Sequence, residues 1–86
     1  MDLQEAFSKA AEESKTLPSK PSNETLLKLY SLYKQAEQGD AGDDAPTNPF
    51  DIVGQAKYKA WQGQKGKTAE AAMQEYIDLV NDLKGA

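Results

Sequence analysis

The chain has no cysteine, no histidine and no arginine. Without cysteine no disulfide can staple the fold, and no thiolate can serve as nucleophile or metal ligand. Without histidine the commonest general base and the commonest metal ligand at neutral pH are both missing. Every cation is therefore a lysine, ten of them against fourteen Asp and Glu, for a net charge of −4. That balance argues against general affinity for nucleic acid or anionic membranes, although a local basic patch remains compatible with it. No apolar run approaches the length needed to span a bilayer, so stable membrane insertion is not expected. The opening "MDLQEAFSKA" is acidic and amphipathic and does not resemble a signal peptide, so a cytoplasmic location is the expectation. Asn23–Thr25 ("NET") fits a glycosylation sequon, which carries little weight without a secretion signal.

What is present is helical periodicity in a chain of 86 residues, a length that suits one domain. Stability must come from helix packing or from a partner, because a chain this short buries only a modest fraction of its surface. The first helix is predicted from about Leu3 to Leu17, with Leu3, Phe7, Ala10 and Ala11 as its apolar stripe. Pro18 and Pro21 then interrupt. The second runs from about Asn23 to Gln38, with Ser22 or Asn23 as N-cap and Gly39 at a left-handed C-terminal position. "GDAGDDAPTNPF" (Gly39–Phe50) reads as a loop. Its length far exceeds what joins adjacent antiparallel helices, and could carry the chain across the bundle so that the third helix runs parallel to the second. The third is expected over Asp51–Gln62. "GQKGKT" is a turn, and Thr68 caps a fourth helix marked by Met73, Tyr76, Ile77, Val80 and Leu83.

Three stretches could carry chemistry. In "KLYSLYKQA" (Lys28–Ala36), Tyr30 and Lys34 lie about 40° apart around a helix, and Tyr30 and Tyr33 are neighbours. Ring and ammonium together suit a nucleotide, ring against base and amine against phosphate. On the spacing alone the favoured reading is that the tyrosines are core-edge residues and Lys34 a solvated surface amine, because aromatic residues at helical spacing are mostly core. "AKYKAWQGQKGK" (Ala56–Lys67) mixes Lys57, Lys59, Lys65 and Lys67 with Tyr58 and Trp61. Such a mix can bind single-stranded nucleic acid, but four lysines are few in an acidic chain, and a solvated face with Trp61 anchored in the core is favoured. Asp40, Asp43, Asp44 and Asp51 miss the EF-hand pattern, since Gly42 and Ala45 stand where a ligand and the invariant glycine belong. No metal site is expected, and no catalytic constellation appears, because the serines lack a base and no glycine-rich cradle precedes a helix.

The same residues resemble a known family, the acyl-CoA-binding proteins, over nearly the whole chain. "FSKAAEESKTL" (Phe7–Leu17), "YSLYKQA" (Tyr30–Ala36) with Gly39–Asp40, "GQAKYKAWQGQKG" (Gly54–Gly66) and "AMQEYIDLV" (Ala72–Val80) come in the family's order at nearly its spacing. The resemblance implies an all-α, up-down-down-up four-helix bundle as one domain over residues 1–86. Its long connection lies between the second and third helices. It further implies a monomer that binds medium- to long-chain fatty acyl-CoA without catalysis, metal or cofactor. Such a carrier forms a protected pool and presents the ester, through transient contacts, to lipid-metabolising enzymes. Tyr30 and Lys34 are implied at the adenosine 3′-phosphate, with Tyr30 also near the adenine. Lys57 is implied at the same phosphate, Tyr76 as a hydroxyl, and Lys15 by the coenzyme's phosphates. Ala11, Leu26 and Leu27 match positions around the acyl chain and headgroup, and Ser31, Leu32 and Tyr33 complete the implied ligand-facing set. The chain departs from the pattern at Val53, where many relatives carry lysine, at Tyr58, where tryptophan is common, and by one extra loop residue near Thr47–Pro49. The alternative reading is a helical protein-interaction module, with Tyr30 and Tyr33 gripping a partner helix inside a lysine rim.

Overall fold

The computed structural model describes residues 2–43 and 45–85, which form four α-helices and no strand. The first, α1 (Leu3–Glu13), starts where Asp2 Oδ1 accepts the Glu5 N–H at 2.8 Å. It was expected to run to Leu17, but the last turn tightens into a 3-10 segment over Ser14–Thr16. There Ser14 Oγ donates to the Ala11 carbonyl and Thr16 Oγ1 to that of Glu13. Such hydroxyls compete with the helical ladder. Leu17 is extended (φ −62°, ψ 146°), as a residue before proline prefers.

The second helix, α2 (Asn23–Gln38), is capped by Ser22 Oγ, which accepts the Thr25 N–H at 3.2 Å. It ends on Gly39 at φ 79°, ψ −152°. The sequence pointed to a left-handed helical residue there. The positive φ is as expected, but ψ is extended, a region essentially restricted to glycine. The third, α3 (Ile52–Gln62), begins at Asp51, whose Oδ1 accepts the Gly54 N–H at 3.0 Å. The Asp51 carboxylate lies close against the Gly54 Cα, and a side chain at 54 would make it shift. The fourth, α4 (Ala69–Gly85), starts where Thr68 Oγ1 accepts the Ala71 N–H at 3.1 Å.

The helices pack as an up-down-down-up bundle with α2 at its centre, against α4 on one side and α3 on the other. Contacts at both ends set the directions. Leu26 and Leu27, early in α2, share a cavity wall with Ile52 and Val53, early in α3. At the other end Trp61 reaches Gly39, so α2 and α3 run parallel. Gln35, late in α2, bonds the Lys67 carbonyl just before α4, so those two are antiparallel. Lys84 pairs with Glu13 at 2.7 Å, bringing the C-terminal ends of α1 and α4 together. The buried core is Phe7, Ala10, Leu29, Leu32, Ala36, Ala72, Tyr76 and Val80. It draws on α1, α2 and α4, whereas α3 contributes no buried residue.

A polar latch holds the C-terminal end of α2. Asp40 Oδ1 accepts the Gln35 amide and the Gly66 N–H, each at 2.8 Å. Gln35 Nε2 also donates to the Lys67 carbonyl at 2.9 Å. The Gly66 N–H, with the Gln35 amide second, holds the Asp40 carboxyl below its ordinary pKa. A folded-state pKa below the unfolded one contributes stability above the unfolded value, and that contribution fades as pH falls through the folded value. Asp40→Ala should therefore lower the melting temperature at neutral pH, and the gap to wild type should close as pH drops below the ordinary carboxylate range. Thermal denaturation of both proteins from neutral to strongly acidic pH measures this. A gap that stayed constant would show that the carboxylate's charge contributes nothing.

Candidate ligand-binding site

Two cavities meet at Tyr30. One, of about 250 Å³, lies where the end of α1 faces α2 and α4, and Ala11, Ser14, Lys15, Leu29, Tyr30, Tyr33 and Tyr76 line it. The other, of about 380 Å³, lies between the first turns of α2 and α3 and is lined by Asn23, Leu26, Leu27, Tyr30, Ile52, Val53, Ala56 and Lys57. The first carries three phenols, a hydroxyl and an ammonium. The second is mostly aliphatic.

The bundle positions the phenols through its core. The Phe7 ring stacks on Tyr33 at 5.4 Å and meets Tyr76 edge-on at 5.2 Å, both favoured aromatic geometries. Tyr76 donates its hydroxyl hydrogen to Ser14 Oγ at 3.2 Å. A hydrogen bond to Glu37, together with that carboxylate's charge, pushes the Tyr33 phenol above its ordinary pKa. Tyr33 therefore remains a neutral donor at any physiological pH.

Lys57 Nζ stands 5.1 Å from the centroid of the Tyr30 ring, and Lys34 Nζ stands 5.0 Å from that of Trp61. Each contact bridges α2 and α3 through a cation–π attraction. Among the described residues the ion pairs are Lys67–Glu75 and Lys84–Glu13. Lys15, Lys34 and Lys57 are in neither, so three cations around the cleft carry no neutralising carboxylate in a protein whose net charge is −4. The arrangement offers an anion two or three ammonium groups, a ring to lie against, and an adjoining apolar trough.

Of the residues expected at a ligand surface, Ala11, Lys15, Leu26, Leu27, Tyr30, Tyr33, Lys57 and Tyr76 all line a cavity. Lys34 lines neither; it sits one turn beyond Tyr30, over the indole. Ser31 and Leu32 are 1% and 0% exposed and leave the ligand-facing set. Ser31 Oγ donates to the Lys28 carbonyl and accepts from Gln64, while Leu32 belongs to the core. The reason is helical geometry, since residues one and two positions after Tyr30 turn toward other faces. Trp61, expected in the core, is half-buried and held by its N–H on the Gly39 carbonyl at 2.8 Å.

Sequence reasoning missed Ser14 and Leu29, which line the first cavity, and Asn23, Ile52, Val53 and Ala56, which line the second. A serine at a fraying helix end and a leucine in an apolar stripe give no local sign of facing a cleft. Of the loop carboxylates, Asp40 and Asp51 serve as latch and cap, and Asp44 lies outside the described residues.

A helical bundle with a cationic, phenol-lined cleft opening into an aliphatic one is, by class, a receptor for an anionic ligand with a hydrocarbon part. Comparison with known proteins narrows the class. The family model described as "Acyl CoA binding protein" matches residues 4–80. An acyl-CoA-binding protein homolog of Drosophila melanogaster is 48% identical over 81 residues, covering 94% of this chain and 93% of that protein. The acyl-CoA-binding protein of Ricinus communis is 44% identical, covering 99% and 93%. The crystal structure of Oryza sativa acyl-CoA-binding protein 2 superposes with a TM-score of 0.89 at 44% identity, covering 95% of this chain and 90% of that one. This chain belongs to the acyl-CoA-binding protein family.

The reassignment of Leu32 is open to a direct check. Leu32→Ala should cost about 2–5 kcal/mol of folding stability, as for a leucine removed from a packed core. Urea denaturation measures it, and a loss below about 1 kcal/mol would return Leu32 to the surface.

Proposed function

We propose that the protein is a non-enzymatic carrier of medium- to long-chain fatty acyl-CoA, a monomer that shelters the ester in the cytoplasm and hands it to acyl-CoA-using enzymes. The observation that carries this reading is the junction of the two cavities at Tyr30. It puts cations and phenols beside an aliphatic trough, as one ligand with a polyanionic head and an apolar tail requires. Coenzyme A carries about four negative charges, from its 3′-phosphate and pyrophosphate. Lys15, Lys34 and Lys57 come from three separate segments to meet them, and each supplies a compact charge with three donors. Tyr30 offers its ring to the adenine, and Tyr76 would turn its hydroxyl from Ser14 Oγ to the ligand. Leu26, Leu27, Ile52, Val53 and Ala56 receive the chain, and each methylene they remove from water adds about 0.8 kcal/mol.

Lys34 would leave the Trp61 ring to reach a phosphate. The exchange is favourable, since an exposed cation–π contact is worth about 0.5–1 kcal/mol and a hydrogen bond to a charged group about 1.5–3 kcal/mol. The acidic remainder of the surface keeps the carrier from adhering to anionic bilayers, so the grip stays local to the cleft.

Titration calorimetry with palmitoyl-CoA should give one-to-one binding, and the absence of a heat of binding would remove the reading. Lys34→Ala should weaken binding of palmitoyl-CoA by about tenfold or more. It should have far less effect on the dephospho analogue that lacks the 3′-phosphate. Equal losses on both ligands would refute the role given to Lys34.

A further inference from the structure

Among the described residues, the exposed large hydrophobic side chains are Leu26 at 38%, Phe50 at 88%, Ile52 at 76% and Val53 at 64%. Apolar residues scattered singly over a surface need no explanation, but a cluster of them does. Leu26, Ile52 and Val53 all line the aliphatic cavity. Phe50 lies outside the lining, yet it precedes Ile52 by two residues, so their Cα atoms are at most about 7 Å apart. Phe50 therefore sits on the turn that leads into the Ile52 and Val53 wall of the trough, with its ring in water.

Its backbone is fixed there. The Phe50 N–H donates to Asn48 Oδ1 at 2.9 Å, and the Asn48 carbonyl accepts the Asp51 N–H at 3.0 Å and the Gln55 amide at 2.9 Å. Pro49 restricts the turn further through its locked φ. Asp51 then caps α3 through Gly54. A large aromatic ring is thus held in water on an ordered turn, where the folded chain itself gives it almost nothing to pack against.

We propose that Phe50 is a specificity-determining residue for chain length, closing over the distal carbons of acyl chains long enough to pass beyond Ile52 and Val53. The inference rests on the acyl-CoA reading above. A short chain ends inside the trough and never meets the ring. A long chain runs over the exposed faces of Ile52 and Val53, and Phe50 swings about its side-chain torsions to cover it. Ligand tail and ring then leave water together, so the ring's exposure is relieved only by long-chain esters.

Calorimetric titration of wild type, Phe50→Ala and Phe50→Trp with octanoyl-, lauroyl-, palmitoyl- and arachidoyl-CoA tests the idea. Thermal denaturation confirms that each variant is folded, which the exposure of Phe50 favours. Phe50→Ala should match wild type on the two shorter esters and lose about tenfold on the two longer ones, with Phe50→Trp restoring long-chain affinity. A loss of equal size at every length would overturn the proposal, as would no loss at any length. The proposal also falls if Phe50→Ala keeps full affinity for all four esters but loses association with phosphatidylcholine vesicles, since the ring would then face a lipid surface. Failure of wild type to bind any of the four would instead remove the acyl-CoA reading, and this inference with it.

Discussion

Asp40 accepts hydrogen bonds from Gln35, five residues earlier, and from Gly66, twenty-six residues later. With the Trp61 indole N–H on the Gly39 carbonyl and Gln64 on Ser31, these bonds fasten the end of α2 to the end of α3 and the turn that follows. Because α2 and α3 run parallel, the fastening acts on one end only. At the other end Leu26 and Leu27 face Ile52 and Val53 across an open trough. A helix that buries no residue of its own would otherwise have little to hold it. Polar bonds at its far end and two cation–π contacts along its length do that instead.

In the proposed carrier the aromatic residues divide the work between stability and binding. Phe7 is sealed in the core and sets the rings of Tyr33 and Tyr76. Both tyrosines line the first cavity while packing against Phe7. Their geometry is thus prepared before a ligand arrives, which lowers the ordering cost of binding. Tyr30, half-buried, belongs to both cavities and has a lysine over its face. One side chain thereby joins the part of the cleft suited to charge and the part suited to hydrocarbon.

Charge distribution completes the arrangement. The carboxylates that the structure engages hold groups other than the three lysines Lys15, Lys34 and Lys57, Glu37 among them on the Tyr33 phenol. Asp2 and Asp51 cap helices, Asp40 closes the latch, and Glu13 and Glu75 pair with Lys84 and Lys67. Lys15, Lys34 and Lys57 are left without carboxylate partners in the described residues. An acidic protein can therefore present a cationic cleft, because position relative to the ligand and not net charge governs a short-range grip.

Much of this was legible in the residues. Helical spacing, with caps read at Ser22 or Asn23 and at Thr68, located four helices within a few positions, since these are local effects of side chains on neighbouring N–H groups. The long Gly39–Phe50 connection pointed to parallel neighbours, and the motifs around Tyr30–Ala36 and Gly54–Gly66 pointed to the family. Tertiary structure alone decided which members of "YSLYK" face the cleft. It placed Ser31 and Leu32 in the interior and Lys34 against an indole, and it enlisted Ser14 and Leu29 as cavity walls. The physical reason is that periodicity assigns a residue to a face of its own helix, whereas what that face meets is set by how four helices are packed together.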